Sequence, residues 1–228
     1  IKSGMIDWKK TFSEARLFHW SGITSAVSQG AAEVTNEAVE EAAREGITIS
    51  CDINYRANLW KYGKDAHDML LPIVQKSDIV FGTADEWKLI TGITPPDFKA
   101  TTPDYPIDSA AYKEYFGKAS KILPKAKKMI VALRNTLSAN HHLLSGVIFA
   151  DGKLYTTRIY DIDDVLDPMG VGDAFIAAYL HAHLKYGDDN QRCLNFSLAA
   201  SALKNTIPGD FNLSTEQEVE YLMNGFEE

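Results

Sequence analysis

The sequence predicts an α/β fold in which a mostly parallel sheet carries helices on both faces. Short apolar, β-branched runs alternate with amphipathic stretches of helical length, the pattern of strands joined by crossover helices. Glycines and prolines stand where such elements must stop. Polar and charged residues follow the apolar runs, and in this architecture ligands bind outside the carboxyl ends of strands.

The elements follow in order. Residues 17–22 read as a strand ending in a turn, because Leu17-Phe-His-Trp20 is apolar and aromatic and Ser21-Gly22 breaks it. A helix is expected over 35–45, closed by Gly46 as a C-terminal cap. Residues 47–51 form a strand, 65–75 a helix and 78–81 another strand. The short helix 83–91 is stopped by Gly92, and prolines and threonines make 92–106 an exposed loop. A helix over 110–122 leads to a strand over 128–133. Residues 142–149 and 153–159 pair as a β-hairpin turning at Ala150-Asp151-Gly152. Helices close the chain at 173–186, 191–205 and 215–223.

At 228 residues the chain fits one α/β domain covering 1–228. Hydrophobic residues make up 45%, and no stretch is long and apolar enough to span a membrane. The opening Ile1-Lys-Ser-Gly-Met-Ile-Asp-Trp8 lacks the basic, apolar and small-residue regions of a signal peptide. Cys51 and Cys193 lie in apolar segments without metal-type spacing, so free thiols in a reducing, cytoplasmic setting are expected. Lys and Arg total 23 against 31 Asp and Glu, a net charge of −8. With no basic run interleaved with aromatics, nucleic acid and membrane partners are not expected.

The most informative segment is Asp167-Pro-Met-Gly-Val-Gly-Asp173-Ala-Phe-Ile-Ala-Ala-Tyr-Leu180. A helix N-terminus offers unpaired backbone N–H groups and the positive end of its dipole. Glycines there let an anion approach the backbone closely. Asp173 then stands in the first turn, placed to take a proton from a hydroxyl that attacks a phosphoryl group. Locally, the same string also reads as an ordinary helix start with a first-turn aspartate.

The segment resembles the C-terminal signature of the ribokinase/PfkB family of sugar kinases, Asp-Thr/Pro-x-Gly-Ala-Gly-Asp before a small-residue helix. The resemblance implies a ribokinase-like three-layer α/β/α fold, Asp173 as catalytic base, and an anion hole built from the N–H groups of Gly170, Val171 and Gly172. Val171 departs from the family's small residue, which the hole tolerates because it is backbone chemistry. Cys51-Asp52-Ile-Asn54-Tyr-Arg56-Ala-Asn-Leu-Trp60 is similar to the Asp-x-Asn-x-Arg-x-x-Leu-Trp stretch of 2-keto-3-deoxygluconate kinases. Residues 18–23 and Lys204-Asn-Thr-Ile-Pro-Gly-Asp-Phe211 look like the same group. By resemblance Asp52, Asn54 and Arg56 bind substrate, and a guanidinium suits a sugar acid's carboxylate.

Thr83-Ala-Asp-Glu86 stands in the position of the family's Asn-x-x-Glu motif. The resemblance implies that Glu86 organises Mg²⁺ and its waters near ATP, with Asp167 as a second candidate ligand for Mg²⁺ or a monovalent cation. On the nucleotide side, the family's glycine-rich turn is replaced by Ala132-Leu-Arg134-Asn-Thr136, so Arg134 is expected to reach phosphates through its side chain. Ser197, Ala202 and Asn205 fall on the helix end where the family shelters adenine; close helix packing is the alternative for such a small-residue face. His141-His142 and His181/His183 do not share a face, so no joint metal site is expected of them. Trp8, Phe12, Phe18 and Trp20 are most simply core.

Family members normally begin with a glycine-rich sugar-binding strand and a small β lid, and nothing here matches either. The expectation is therefore a nucleotide-binding half of the fold with N-terminal strands and lid absent. The implied activity is ATP-dependent phosphorylation of 2-keto-3-deoxygluconate, with ATP, Mg²⁺ and a sugar acid as partners and a homo-oligomer possible. A kinase for fructose or another neutral sugar, or a non-catalytic nucleotide-binding module, are the alternatives.

Overall fold

A computed structural model describes residues 1–225 and resolves them into two compact units. The first unit comprises Ile1–Pro95 and Glu114–Ile130; the second comprises Pro96–Lys113 and the chain from Val131 onward.

The first unit opens with the short helix α1 (Trp8–Thr11), capped by the Asp7 side chain, and enters strand β1 (Leu17–Ser21). Helices α2 (Gly22–Val27) and α3 (Gln29–Arg44) follow, capped by Ser21 and Ser28. The expected turn at Gly22 is thus the start of a helix, and the next helix begins at Gln29 rather than at residue 35. The serine hydroxyls take the first free N–H groups of each helix and stabilise both starts. A Cβ at Gly22 would overlap the carbonyl oxygen of Ile53, so glycine is what lets α2 close on the end of β2 (Thr48–Asp52).

Helix α4 (Ala66–Val74) is capped by Asp65, and strand β3 (Ile79–Gly82) follows. Strand β2 lies parallel between β1 and β3, Ser21 opposite Asp52 and Asp52 opposite Phe81. Buried Asp78 accepts the Ile49 N–H at 3.0 Å and ties β2 to the start of β3. Helix α5 (Ala84–Thr91) has a complete capping box between Thr83 and Glu86 and ends on left-handed Gly92. Helix α6 (Ser109–Ile122) and strand β4 (Lys128–Ser138) each pass from one unit into the other. Trp87 is fully buried and donates its Nε1–H to the Ile130 carbonyl at 2.9 Å, with Phe116 edge-on to its ring. Phe12 and Trp20 are core, as expected, whereas Trp8 and Phe18 are only partly covered.

In the second unit β4 turns at 139–140 into β5 (His141–Ala150), so the strand runs past Leu133 and contains Arg134. Strand β5 pairs antiparallel with both β6 (Lys153–Thr156) and β7 (Tyr160–Ile162). The β5–β6 turn is made by Asp151 at φ 51° and Gly152 at φ 72°, the left-handed pair that a two-residue hairpin requires. Strand β7 was not foreseen: residues 157–159 leave β6 before the chain pairs again, this time at the other end of β5.

Residues 92–106 are not simply an exposed loop. Ala100 is fully buried against Leu143 and Ile159, with Phe98 and Tyr105 packed over it. The Ala100 carbonyl accepts a 2.8 Å bond from the Asn135 side chain. Helices α7 (Val171–Tyr186), α8 (Asn190–Lys204) and α9 (Glu216–Asn224) complete the unit. Buried Ala174, Ala178 and Ala182 on α7 let α8 pack closely. Ser197 and Ser201 stitch the pair, donating to the carbonyls of Phe175 (2.6 Å) and Val171 (3.1 Å). Among the described residues no helix is long and apolar enough to cross a membrane.

Candidate active site

The second unit carries the glycine-bracketed helix start. Helix α7 begins at Val171, two residues before the expected start, because Gly170 occupies the cap position in the left-handed region at φ 70°. A glycine cap has no side chain to fill the first turn, and no side-chain cap bond is present. Only Ala174 N–H finds the Gly170 carbonyl, at 2.8 Å. The amides of Val171, Gly172 and Asp173 are therefore left at the positive end of a 16-residue helix. Asp173 and Gly172 are exposed, Val171 is buried, and the Asp173 carboxylate makes no hydrogen bond or ion pair among the described residues. The side chain of Val171 points into the core, so it leaves the amide cradle open.

Two loops frame this start. A Cβ on Gly170 would lie 2.0 Å from the Asp210 carbonyl oxygen, so residues 205–210 press directly on the cap. Asp167 clasps the same loop: one carboxylate oxygen accepts Met169 N–H at 2.9 Å and the other Gly209 N–H at 2.7 Å. These two amide bonds stabilise the carboxylate and hold its pKa below the usual aspartate range. The Asn205 carbonyl accepts the N–H groups of both Leu166 and Asp167. On these loops Leu166, Met169, Phe211 and Leu213 are 61–82% exposed, an apolar rim unusual for a free surface.

The proposed nucleotide residues divide. Arg134 is exposed on β4, and its charge acts on buried His142 of β5. Burial, then that guanidinium, hold the His142 imidazole below its ordinary pKa. The His142 and Asn205 side chains are both buried and interact with each other, and the Asn205 amide donates to the Ser201 carbonyl at 2.8 Å. Ser197 is fully buried with its hydroxyl on α7; the structure shows it packing two helices. Ala202 is likewise buried.

In the first unit, strand β2 delivers Asp52, partly buried, at its carboxyl end. Asn54 sits at φ 39°, a conformation asparagine tolerates better than most residues, and donates to Ser21 Oγ at 3.1 Å. The Arg56 side chain is 55% exposed; it bonds the Tyr55 carbonyl at 3.0 Å and lies 3.7 Å from Glu86. Most of its guanidinium donors remain open to solvent. Glu86 is buried, and its two oxygens accept Thr83 N–H at 2.8 Å and Tyr55 N–H at 2.9 Å. One carboxylate thus caps α5 and anchors the loop that carries Asn54 and Arg56. Thr83, where the family carries asparagine, still caps the helix through its hydroxyl.

Both oxygens of Glu86, and both of Asp167, already accept one backbone amide each. Each keeps lone pairs for a metal-bound water, which suits an ion that keeps several waters of its own. Lys204, Gly209 and Asp210 frame the site, although nothing in the 204–211 string marks them individually as framing residues. Nor does the sequence mark the amide-anchoring role of Glu86. The cluster Asp65, His67 and Asp68 brings three ligand-type atoms within 4.8 Å of one another, and Asp65 already caps α4 there.

The fold is ribokinase-like: an α/β arrangement with a mostly parallel, mixed sheet. The chain belongs to the pfkB family of carbohydrate kinases, whose model matches residues 2–216. A 2-dehydro-3-deoxygalactonokinase of Haloferax volcanii is 26% identical over 93% of this chain and 58% of its own length. A 2-dehydro-3-deoxygluconokinase of Thermoproteus tenax is 28% identical over 92% of this chain and 56% of its own length. The crystal structure of 2-dehydro-3-deoxygluconokinase from Thermotoga maritima superposes with a TM-score of 0.84 at 31% identity, covering 96% of this chain and 64% of that one. The chain thus spans less than two thirds of the length of these relatives.

Proposed function

We propose that the chain carries the phosphoryl-transfer part of an ATP-dependent sugar-acid kinase, with 2-keto-3-deoxygluconate as the favoured acceptor. The observation behind this reading is the start of α7, where three uncapped amides and an exposed Asp173 share one helical turn. Phosphoryl transfer asks mainly for positioning and for donors aimed at the charge on the transferred group. The amides of Val171, Gly172 and Asp173 supply such donors in fixed orientation. Asp173, with no internal partner, is available to accept the acceptor hydroxyl's proton as the oxygen–phosphorus bond forms.

Several features support a nucleotide as donor. Arg134 offers a side-chain cation for phosphates, and the apolar rim offers a face for the ring of a base. Mg²⁺, when bound with the nucleotide, would neutralise part of the phosphate charge, with Asp167 of the second unit acting through water. In the first unit, Arg56 has donors open for a carboxylate, and Asp52 and Asn54 present polar groups suited to sugar hydroxyls. Relatives whose names specify a gluconate or a galactonate derivative are consistent with an acid and leave the epimer open.

A coupled ADP-release assay on the chain tests this reading with 2-keto-3-deoxygluconate, 2-keto-3-deoxygalactonate and fructose as acceptors. Turnover with an acid exceeding that with fructose supports it. Turnover with fructose alone would overturn the acid assignment, and ATP binding without any turnover would favour the non-catalytic module that the departures at Thr83, Arg134 and Val171 also allow.

A further inference from the structure

Lys204 ends helix α8 and is fully buried, 0% exposed. Its Nζ donates one 2.8 Å bond to the Ile207 carbonyl, leaving two of its three N–H donors without a protein acceptor among the described residues. A buried ammonium is costly unless compensated, so a position that keeps one has a use for the charge. Its surroundings indicate that use. The loop it bonds is the one whose Asn205 carbonyl holds Leu166 and Asp167, whose Gly209 amide meets the Asp167 carboxylate, and whose Asp210 carbonyl presses on Gly170. The Lys204 charge also acts on Asp167, adding to the amide bonds that hold that carboxylate ionised.

We propose that Lys204 is a built-in cation of the phosphate site. Its ammonium braces residues 205–210 against Asp167 and Gly170, and its charge raises the potential felt by a phosphate at the start of α7. Lys204 is a positioning residue that acts through the loop and through its field. In a chain of net charge −8, such a local cation offsets the repulsion a polyphosphate would otherwise meet. The proposal rests on the kinase reading, so its test must separate the two.

The substitution is Lys204→Met, which keeps the length and removes the charge. Calorimetric titration with ATP, ADP and adenosine reads the result. The expected outcome is about a tenfold loss of ATP affinity, the scale of a single partly screened charge interaction. ADP should lose less, and adenosine should be unchanged. Equal losses for all three would reduce Lys204 to a structural brace, and no loss would remove it altogether; either overturns the proposal while the kinase reading stands. Wild-type chain that binds none of the three would overturn the kinase reading and this inference with it. Should K204M fail to fold, the Lys204 Nζ resonance of the wild-type chain decides. ATP addition should shift it and adenosine should not, and an unmoved resonance contradicts the proposal.

Discussion

Replacing Gly170 by alanine tests whether the cap geometry at α7 is as the structure shows it. Gly170 sits at φ 70°, a region that costs a residue with a Cβ about 1–2 kcal/mol. The added Cβ would also overlap the Asp210 carbonyl oxygen, and moving that loop adds about 1–3 kcal/mol of overpacking strain. A total of about 2–5 kcal/mol lowers the melting temperature by roughly 5–15 °C at this chain length. Gly172 is the internal control. It lies one residue into the helix with open space where its Cβ would be, and alanine there should be neutral or stabilise by about 0.5–1 kcal/mol. Differential scanning fluorimetry of the two variants gives the comparison. Should G170A melt within about 2 °C of G172A, the loop contact and the left-handed cap would both be wrong.

Three further outcomes follow from the site. Glu86→Ala strips the part-buried amides of Thr83 and Tyr55 of their acceptor, so urea denaturation should show about 1–3 kcal/mol of lost stability; a loss under about 0.5 kcal/mol would mean the anchor is not made. His142 has its pKa lowered by burial and by Arg134, so the unfolded chain takes its proton first. Its contribution is full above about pH 6.5 and declines as pH falls below it, a slope that His142→Asn should remove from urea midpoints taken between pH 8 and 5.5. Arg134→Ala should raise the KM for ATP severalfold through loss of a charged phosphate contact; an unchanged KM would end that role.

What could be read from the sequence was local chemistry. Thr83 and Glu86 three apart, with Gly92 at the far end, define α5 without tertiary information, and Asp151-Gly152 defines its hairpin in the same way. The start of α7 was placed two residues late because a glycine cap leaves no side-chain signal. Helices α2 and α3 were missed or shortened where a serine before small residues looked like loop. Contacts distant in sequence were not legible. Glu86 reaches Tyr55 across 31 residues, and Lys204 resembles any solvated lysine at a helix C-terminus until residues 205–210 fold over it. Ser197 shows the converse, since the small-residue face that resembled an adenine shelter is taken up by contact with α7. Asp173 and Gly170 were legible as an anion-binding helix start and given a role by family likeness, Arg56 came from the likeness alone, and the structure gives each a physical setting.

The central claim is that Asp173 takes the acceptor's proton while the neighbouring backbone holds the transferred charge. Asp173→Asn keeps size and removes the base, so turnover in the coupled assay should fall by about 10²–10⁴-fold. ATP affinity measured by calorimetry on the same protein should stay within about threefold, because the cradle amides of Val171 and Gly172 are unchanged. Turnover of D173N at close to the wild-type rate, with ATP binding intact, would contradict the account.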